Sequence, residues 1–501
     1  MSIGPRIGNI SRQVDVNLVT TPFKKQISNT IAMLILATTD IMTVVLSLIV
    51  AYLTRLHILP YFYSGFSEFN IESLIIIWWF PLLILILLIY EGMYYKRFPF
   101  WDATKQIIKA ITYSMIIAVL FIFLSKTSDF ISRTLLVLTY IYCLILLPFS
   151  RLLVKQILFK MRIWEKPVII MGAGKTAELI IKGFNREYTM GYRPIGLLED
   201  DPEKICGINN GKELIPVLGR FADLEEVIKK TGVKDVVIAA PGMDDKKMVQ
   251  LTNRLQQMSA NVMLVPDLFG IPLSGINVEC LFDEKTLFLT MRNNLASPWN
   301  RFLKRAFDLV VGGICLIFAV PVMLMIAIAI KVDSKGPVIY AHERVGKFGR
   351  KFKCLKFRTM AVNSQEILKE LLDNDPKMRR EWEQEFKLKN DPRITRVGKF
   401  LRKSSLDELP QIINVLVNQM SLVGPRPIID DEVEKYGCFF DYFKMVPPGI
   451  SGLWQINGRN DIDYAERVQL DVWYARNWSL WLDFTILVRT ITVVLKSKGA
   501  Y

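Results

Sequence analysis

Four apolar runs crowd the first third of the chain, at about 30–53, 71–90, 107–124 and 134–149. Each approaches or exceeds the ~20 residues that cross a bilayer. One such run fits a buried core helix, but four in succession predict a transmembrane bundle. The intervening loops alternate in charge. Arg6, Arg12, Lys24 and Lys25 precede the first run, Lys96, Arg97 and Lys105 fill the second loop, and Arg151, Lys155, Lys160, Arg162 and Lys166 follow the fourth. The other two loops are poor in Lys and Arg, so the positive-inside rule puts both ends of the bundle in the cytoplasm. The first run follows a polar stretch and is long enough to span, so no cleavable signal is expected.

The pattern then changes. Residues 166–177 read as a strand, a glycine turn (Gly172-x-Gly174-x-x-Ala177) and a helix. Such a turn suits a nucleotide, and it also serves strand–helix packing alone. An amphipathic helix at 224–230 and strands at 234–240 and 261–266 continue the alternation. A Rossmann-like α/β domain is expected over 161–290.

A fifth apolar run, 307–330, is flanked on both sides by Lys and Arg, from Arg301, Lys304 and Arg305 before it to Lys331 and Lys335 after it. Both ends therefore favour the cytoplasm. Pro321 lies near its middle, where it removes a helix hydrogen bond and favours a kink. A re-entrant hairpin is predicted; a simple fifth span is the alternative. The rest of the chain, 332–501, is polar and basic. It ends in aromatics (Trp473, Tyr474, Trp478, Trp481) that suit either a membrane interface or a core.

Composition narrows the chemistry. Apolar residues make up 51 % of 501 residues, and the formal charge is +15. Mean hydropathy is +0.28. With spans present, such charge points to an anionic membrane face or a phosphate-rich substrate rather than to nucleic acid. Six cysteines without a CxxC pair and only two histidines, His57 and His342, argue against a zinc site, a disulfide framework or a Ser-His-Asp triad. Catalysis must then rest on carboxylates, cations and hydroxyls.

The densest cluster of such groups runs from Arg393 to Gln411. Ser405-Leu406-Asp407-Glu408 matches a helix capping box. Lys399, Arg402 and Lys403 lie just before it, and cations beside a helix N-terminus bind phosphate. Those cations are expected to keep Asp407 ionised. An ionised Asp can attack phosphorus, and Glu408 can help hold Mg²⁺ against the phosphate charge. Capping and phosphoryl transfer are compatible. Three further segments share the tone: Lys353–Met360 alternates cations with apolar residues, Gly424-Pro-Arg-Pro427 fixes an arginine, and 447–460 is glycine-rich with a polar tip.

Lys356-Phe-Arg-Thr-Met360, Asn390–Thr395, Arg402–Gln411, Gly424–Pro427 and Pro448–Asn460, in this order, resemble the bacterial sugar transferases, or monotopic phosphoglycosyl transferases. The resemblance covers Trp299 to the C-terminus. With four spans and a Rossmann-like domain ahead, the chain looks like the family's long form. It implies a membrane protein with an N-terminal cytoplasmic segment (1–29), a helical bundle (30–160), a Rossmann-like domain (161–290) and a small α/β catalytic domain (299–501) with a re-entrant helix at 307–330. It also implies a bacterial inner-membrane location, with catalysis on the cytoplasmic face. In the implied reaction Asp407 attacks the sugar-bearing phosphate of a UDP-sugar, UMP leaves, and undecaprenyl phosphate takes the phosphosugar. Glu408 assists metal binding or proton handling. Lys356, Arg358, Arg402, Arg426 and Arg459 are the expected phosphate contacts. Asp407 as metal ligand in a direct displacement stays open. Val320 departs from the Ser that small members carry before the proline. The long charged insert at 363–389 resembles the galactose-1-phosphate branch, with glucose-1-phosphate transfer as the alternative, in surface polysaccharide synthesis.

Two other classes compete. A membrane-tethered NAD-dependent sugar-nucleotide dehydratase would need a Tyr-x-x-x-Lys pair, and the chain has none. A non-enzymatic scaffold fits residues 1–290, which hold no obvious catalytic group. That half is expected to anchor, to pair the enzyme as a homodimer, or to regulate it.

Overall fold

The computed structural model describes residues 22–62, 77–125, 132–204, 207–209, 213–240, 242–258, 261–266, 277–281, 286–290, 293–374, 391–458 and 462–495. The chain divides into two compact units, Met1–Leu268 and Phe269–Tyr501. The division falls upstream of the boundary at 290 that the sequence pattern marks.

The first unit opens with apolar helices α1 (Pro22–Leu53), α2 (Phe80–Tyr90), α3 (Phe100–Leu124) and α4 (Arg133–Lys160). Each buries one stripe, with Leu36, Ile84, Ile111 and Leu147 at 0–1 % exposure, and turns Met42, Ile86, Phe123 and Ile145 outward. Apolar side chains on the outside of a bundle suit lipid, where the backbone must be satisfied within the helix. Helices at Ser28–Tyr61, Phe100–Leu124, Arg133–Lys160 and, in the second unit, Pro298–Asp333 are long and apolar enough to cross a membrane. The second predicted span departs from this: its described part is a helix of only 11 residues, α2. The rest of that run, 71–76, lies outside the described residues.

α4 also runs past the expected end of its span. Arg151 and Lys155, read from sequence as loop charges, are buried inside it at 3 % and 4 % exposure. Arg151 is met by Asp40 of α1, Nε to Oδ1 at 2.8 Å and Nη2 to Oδ2 at 2.5 Å. Tyr94 donates to the same carboxylate.

The α/β part follows as β1 (Lys166–Met171), α5 (Lys175–Arg186), β2 (Tyr192–Leu198), β3 (Val217–Gly219), α6 (Leu224–Thr231), β4 (Asp235–Ile238), α7 (Asp245–Gln257) and β5 (Asn261–Leu264). The strands are parallel in the order β3-β2-β1-β4-β5. That is the doubly wound arrangement the alternation predicts, with the glycine turn at the end of β1. Gly172 has φ +105°, and a Cβ there would meet the Ala239 carbonyl at 2.8 Å. Next to it the Ala173 N–H donates to Glu199 Oε2 at 2.6 Å. One amide of the turn is thus already taken by a carboxylate of the domain itself.

In the second unit the long helix α8 (Pro298–Asp333) lies against a small α/β body. That body contains the antiparallel pair β6 (Ile339–Val345) and β7 (Lys351–Phe357), helices α9 (Arg396–Ser404) and α10 (Gln411–Leu416), and the short parallel pair β8 (Ser421–Val423) and β9 (Gly449–Ser451). It closes with α11 (Leu453–Asn457), α12 (Tyr464–Arg476) and α13 (Leu480–Leu495). Near its start α8 is tied down by Lys304 Nζ, 2.8 Å from Asp483 Oδ2, and by Arg305, which donates to the Val415 and Leu416 carbonyls. Near its end Asp333 accepts from Val397 N–H, and Arg358 donates to the Ser334 and Lys335 carbonyls. Pro321 sits inside a helix that remains continuous around it. Of the terminal aromatics, Tyr474 and Trp478 are core at 1 % and 2 % exposure, while Trp473 is exposed.

Removing one partner of the buried Asp40–Arg151 pair leaves a charge without its counterion. Asp40→Asn is expected to cost about 3–5 kcal/mol, read as a lower thermal unfolding midpoint of the protein in detergent. An unchanged midpoint would mean that the pair is not load-carrying.

Candidate active site

β7 shows why its sequence alternates. Phe352, Cys354 and Phe357 point into the core, while Lys351 and Lys353 face solvent. Lys356, at the edge of this pattern, turns toward the helix pair α9–α10. There the chain does not form the expected capping box. Ser405 is the left-handed C-cap of α9, with φ 58° and ψ 17°, and its side chain makes no cap bond. Leu406–Glu408 form a short 3-10 turn between the two helices, and this turn carries both carboxylates. Glu408 Oε1 accepts from Lys356 Nζ at 2.7 Å.

The turn is held to β7 by close packing. Thr359, just after β7, accepts from Arg402 Nε at 2.9 Å through Oγ1. Its carbonyl would lie 2.1 Å from a Cβ on Gly398 of α9. A third wall comes from Gly424-Pro-Arg-Pro427, which leaves β8 where Gly424 and Gly449 approach too closely for a side chain on either. Arg426 then stands 5.7 Å from the ring centroid of Trp454 on α11.

These walls enclose a cavity of about 930 Å³ whose lining includes Lys356, Arg402, Asp407, Glu408, Arg426 and Trp454. Its lining also includes apolar side chains, among them Ile450, Leu487 and Val493. Four of the five expected phosphate contacts line this one cavity, Lys356, Arg358, Arg402 and Arg426. Arg358 is the exception in role. Its guanidinium engages Ser334 Oγ and the Ser334 and Lys335 carbonyls, so it chiefly fastens the end of α8. Arg459 lies outside the described residues.

The cations expected to favour an ionised Asp407 do not act on it alone. Asp407 is held above the ordinary carboxylate range, first by burial and then by the charge of Glu408; Lys356 and Arg402 pull it down without overcoming these. Asp471 of α12 carried no sequence signal. It is fully buried, accepts from Tyr436 OH at 2.8 Å and is pushed up to about 7 by burial. It faces the backbone N–H of Arg426 and so backs the arginine turn.

Among the described residues no group of three or more His, Cys, Asp or Glu gathers as a metal cage. Two adjacent carboxylates fit a different use. Mg²⁺ commonly takes one or two carboxylates and completes its shell from substrate phosphates and water.

This geometry belongs to a recognisable class of enzyme. The family model described as bacterial sugar transferase matches residues 299–497, and one described as CoA-binding domain matches 92–266. The chain is 43 % identical over 409 residues to the undecaprenyl-phosphate galactose phosphotransferase of Salmonella typhimurium, covering 81 % of this chain and 84 % of that one. It is 42 % identical over 410 residues to the UDP-galactose-lipid carrier transferase of Erwinia amylovora, with the same shares covered. To the UDP-glucose:undecaprenyl-phosphate glucose-1-phosphate transferase of Escherichia coli it is 33 % identical over 353 residues, covering 67 % and 69 %. The chain belongs to the bacterial sugar transferase family. It is a membrane protein and a sugar phosphotransferase.

Because Asp407 is raised, the acid limb of activity should lie above the usual carboxylate range, with loss of turnover as falling pH protonates it. Glu408→Gln removes a raising charge and should move that limb to lower pH. Lys356→Met removes a lowering charge and should move it to higher pH. A pH–rate profile of each variant checks the signs, and coincident limbs would contradict them.

Proposed function

We propose that the enzyme transfers a sugar-1-phosphate from a UDP-sugar to undecaprenyl phosphate and releases UMP. The observation that carries this is the cavity itself, whose lining joins two kinds of surface, a carboxylate pair with three cations and a set of apolar side chains. A diphosphate and a prenyl chain need these two surfaces side by side.

In the first step a carboxylate oxygen of Asp407 forms a bond to the phosphorus that bears the sugar, and the bond from that phosphorus to the UMP oxygen breaks. In the second, an oxygen of the prenyl phosphate attacks the same phosphorus and Asp407 leaves as a carboxylate. Burial keeps Asp407 poorly solvated and nucleophilic once ionised. Arg402 and Arg426 receive phosphate charge, and Lys356 holds Glu408 in place. Asp407 and Glu408 would hold Mg²⁺, which neutralises phosphate charge and eases approach of the carboxylate.

Galactose is the proposed sugar, because the relatives with galactose in their names are 43 % and 42 % identical and the glucose-named one 33 %. The product would feed synthesis of a surface polysaccharide. Against a dehydratase, Glu199 already occupies an amide of the glycine turn. The first unit then anchors the enzyme, pairs it as a homodimer or regulates it.

The membrane is the bacterial inner membrane, with catalysis on the cytoplasmic face. Contacts at both ends of α8 support a re-entrant or surface-lying course. As a straight helix the stretch from Lys304 to Asp333 would reach about 44 Å, yet both residues are bound to the same α/β body. A helix that crossed the bilayer would carry one end away from that body.

Two measurements test these statements. Membranes supplied with labelled UDP-galactose, Mg²⁺ and undecaprenyl phosphate should yield UMP and a lipid-linked sugar phosphate, and Asp407→Asn should lower turnover by at least about 10³-fold; full activity in that variant would refute the nucleophile. A cysteine placed at Lys335 should react with an impermeant probe from the cytoplasmic side only, and labelling from outside would mean a full span.

A further inference from the structure

A small cavity of about 10 Å³ lies in the first unit, where α4 meets the 3-10 turn Tyr188–Met190 between α5 and β2. Arg151 and Lys155 of α4 and Thr189 of the turn line it, with Phe100, Ile107 and Pro148 as its apolar walls. It has room for one water-sized occupant.

The polar lining is unusually donor-rich. Arg151, Lys155 and Thr189 are 3–4 % exposed. Arg151 Nη1 and Thr189 Oγ1 have no hydrogen-bond partner among the described residues. Lys155 Nζ stands 5.1 Å from the Trp164 ring centroid and has no carboxylate partner among the described residues. Arg97 lies over the same ring at 3.7 Å.

The surrounding acids are engaged elsewhere. Asp40 holds Arg151 and Tyr94. Asp235 pairs with Lys166 at 2.6 Å. Glu187 accepts from the Phe100 N–H at 3.1 Å, a neutral donor that leaves its charge. Arg97 donates through Nη1 to the Trp164 and Met190 carbonyls, neutral acceptors that leave its charge. Arg97, Arg151 and Lys155 thus set three cationic groups against the two carboxylates of Asp40 and Glu187, an excess of one positive charge.

Buried charge is costly unless it is paired. A water in the cavity would accept hydrogen bonds from Arg151, Lys155 and Thr189 but would leave the excess charge. A monoatomic anion does both. We propose that this cavity binds a monovalent anion of halide size, which ties transmembrane helix α4 to the Thr189 turn of the α/β domain.

The test uses the full chain in detergent. Its thermal midpoint is measured in sodium chloride and in sodium gluconate at equal ionic strength, gluconate being too large for the cavity. The midpoint should rise saturably with chloride by about 3 °C, and bromide should replace chloride. Lys155→Met should abolish the chloride dependence, and Thr189→Val, which keeps the fold's volume, should weaken it. Crystals grown in bromide should show an anomalous peak between Arg151 and Lys155. Equal wild-type midpoints in chloride and gluconate, or a water without anomalous signal at that position, would overturn the proposal in favour of a neutral Lys155 beside a water.

Discussion

Lys304 brings an ammonium into the interior of the second unit, and the catalytic body is arranged around the groups that answer it. Its three hydrogens meet Asp483 Oδ2 at 2.8 Å, the Val423 carbonyl at 3.0 Å and Tyr474 OH at 3.2 Å. A buried ion of this kind is tolerated only when every donor is met. The long apolar helix, β8, α12 and α13 consequently share one fixed point. The arginine turn begins one residue beyond Val423, so the place of Arg426 in the cavity descends from a contact on the membrane helix.

Asp407 shows a balance rather than a single cause. Burial and Glu408 oppose ionisation of Asp407, and Lys356 and Arg402 favour it. By pairing with Lys356, Glu408 shares that lysine's charge with its neighbour. A group held in this way is less solvated than a surface aspartate, and its ionisation answers to the charges beside it.

Much of this was legible from local pattern. Period-two alternation marked β7, the glycine turn marked β1–α5, and apolar length marked α1, α3, α4 and α8. The candidate site stood out because four short motifs, far apart in sequence, carry the cations and carboxylates that the fold brings to one cavity. What stayed hidden depended on distant partners. S-x-x-E at 405–408 has the letters of a capping box, but Ser405 is the left-handed C-cap of the preceding helix, and the two carboxylates fall in the 3-10 turn that follows it. Arg358 resembles a phosphate contact until its carbonyl partners 23 and 24 residues earlier are known. Arg151 and Lys155 look like loop charges because nothing near them in sequence reveals Asp40 or Trp164. Asp471 and Glu199 likewise act only through chain segments distant in sequence.

The approach of Gly398 to the Thr359 carbonyl has a mechanical consequence. Together with the Arg402–Thr359 and Lys356–Glu408 bonds it welds the strand-and-dyad side of the cavity into one block. In the proposed reaction two substrates of different shape use that block in turn. Accommodation of their differences then falls to the rest of the lining, where α11 and α13 meet the cavity through Trp454, Leu487 and Val493. On that proposal the dyad keeps its aim while the softer side of the cavity adapts.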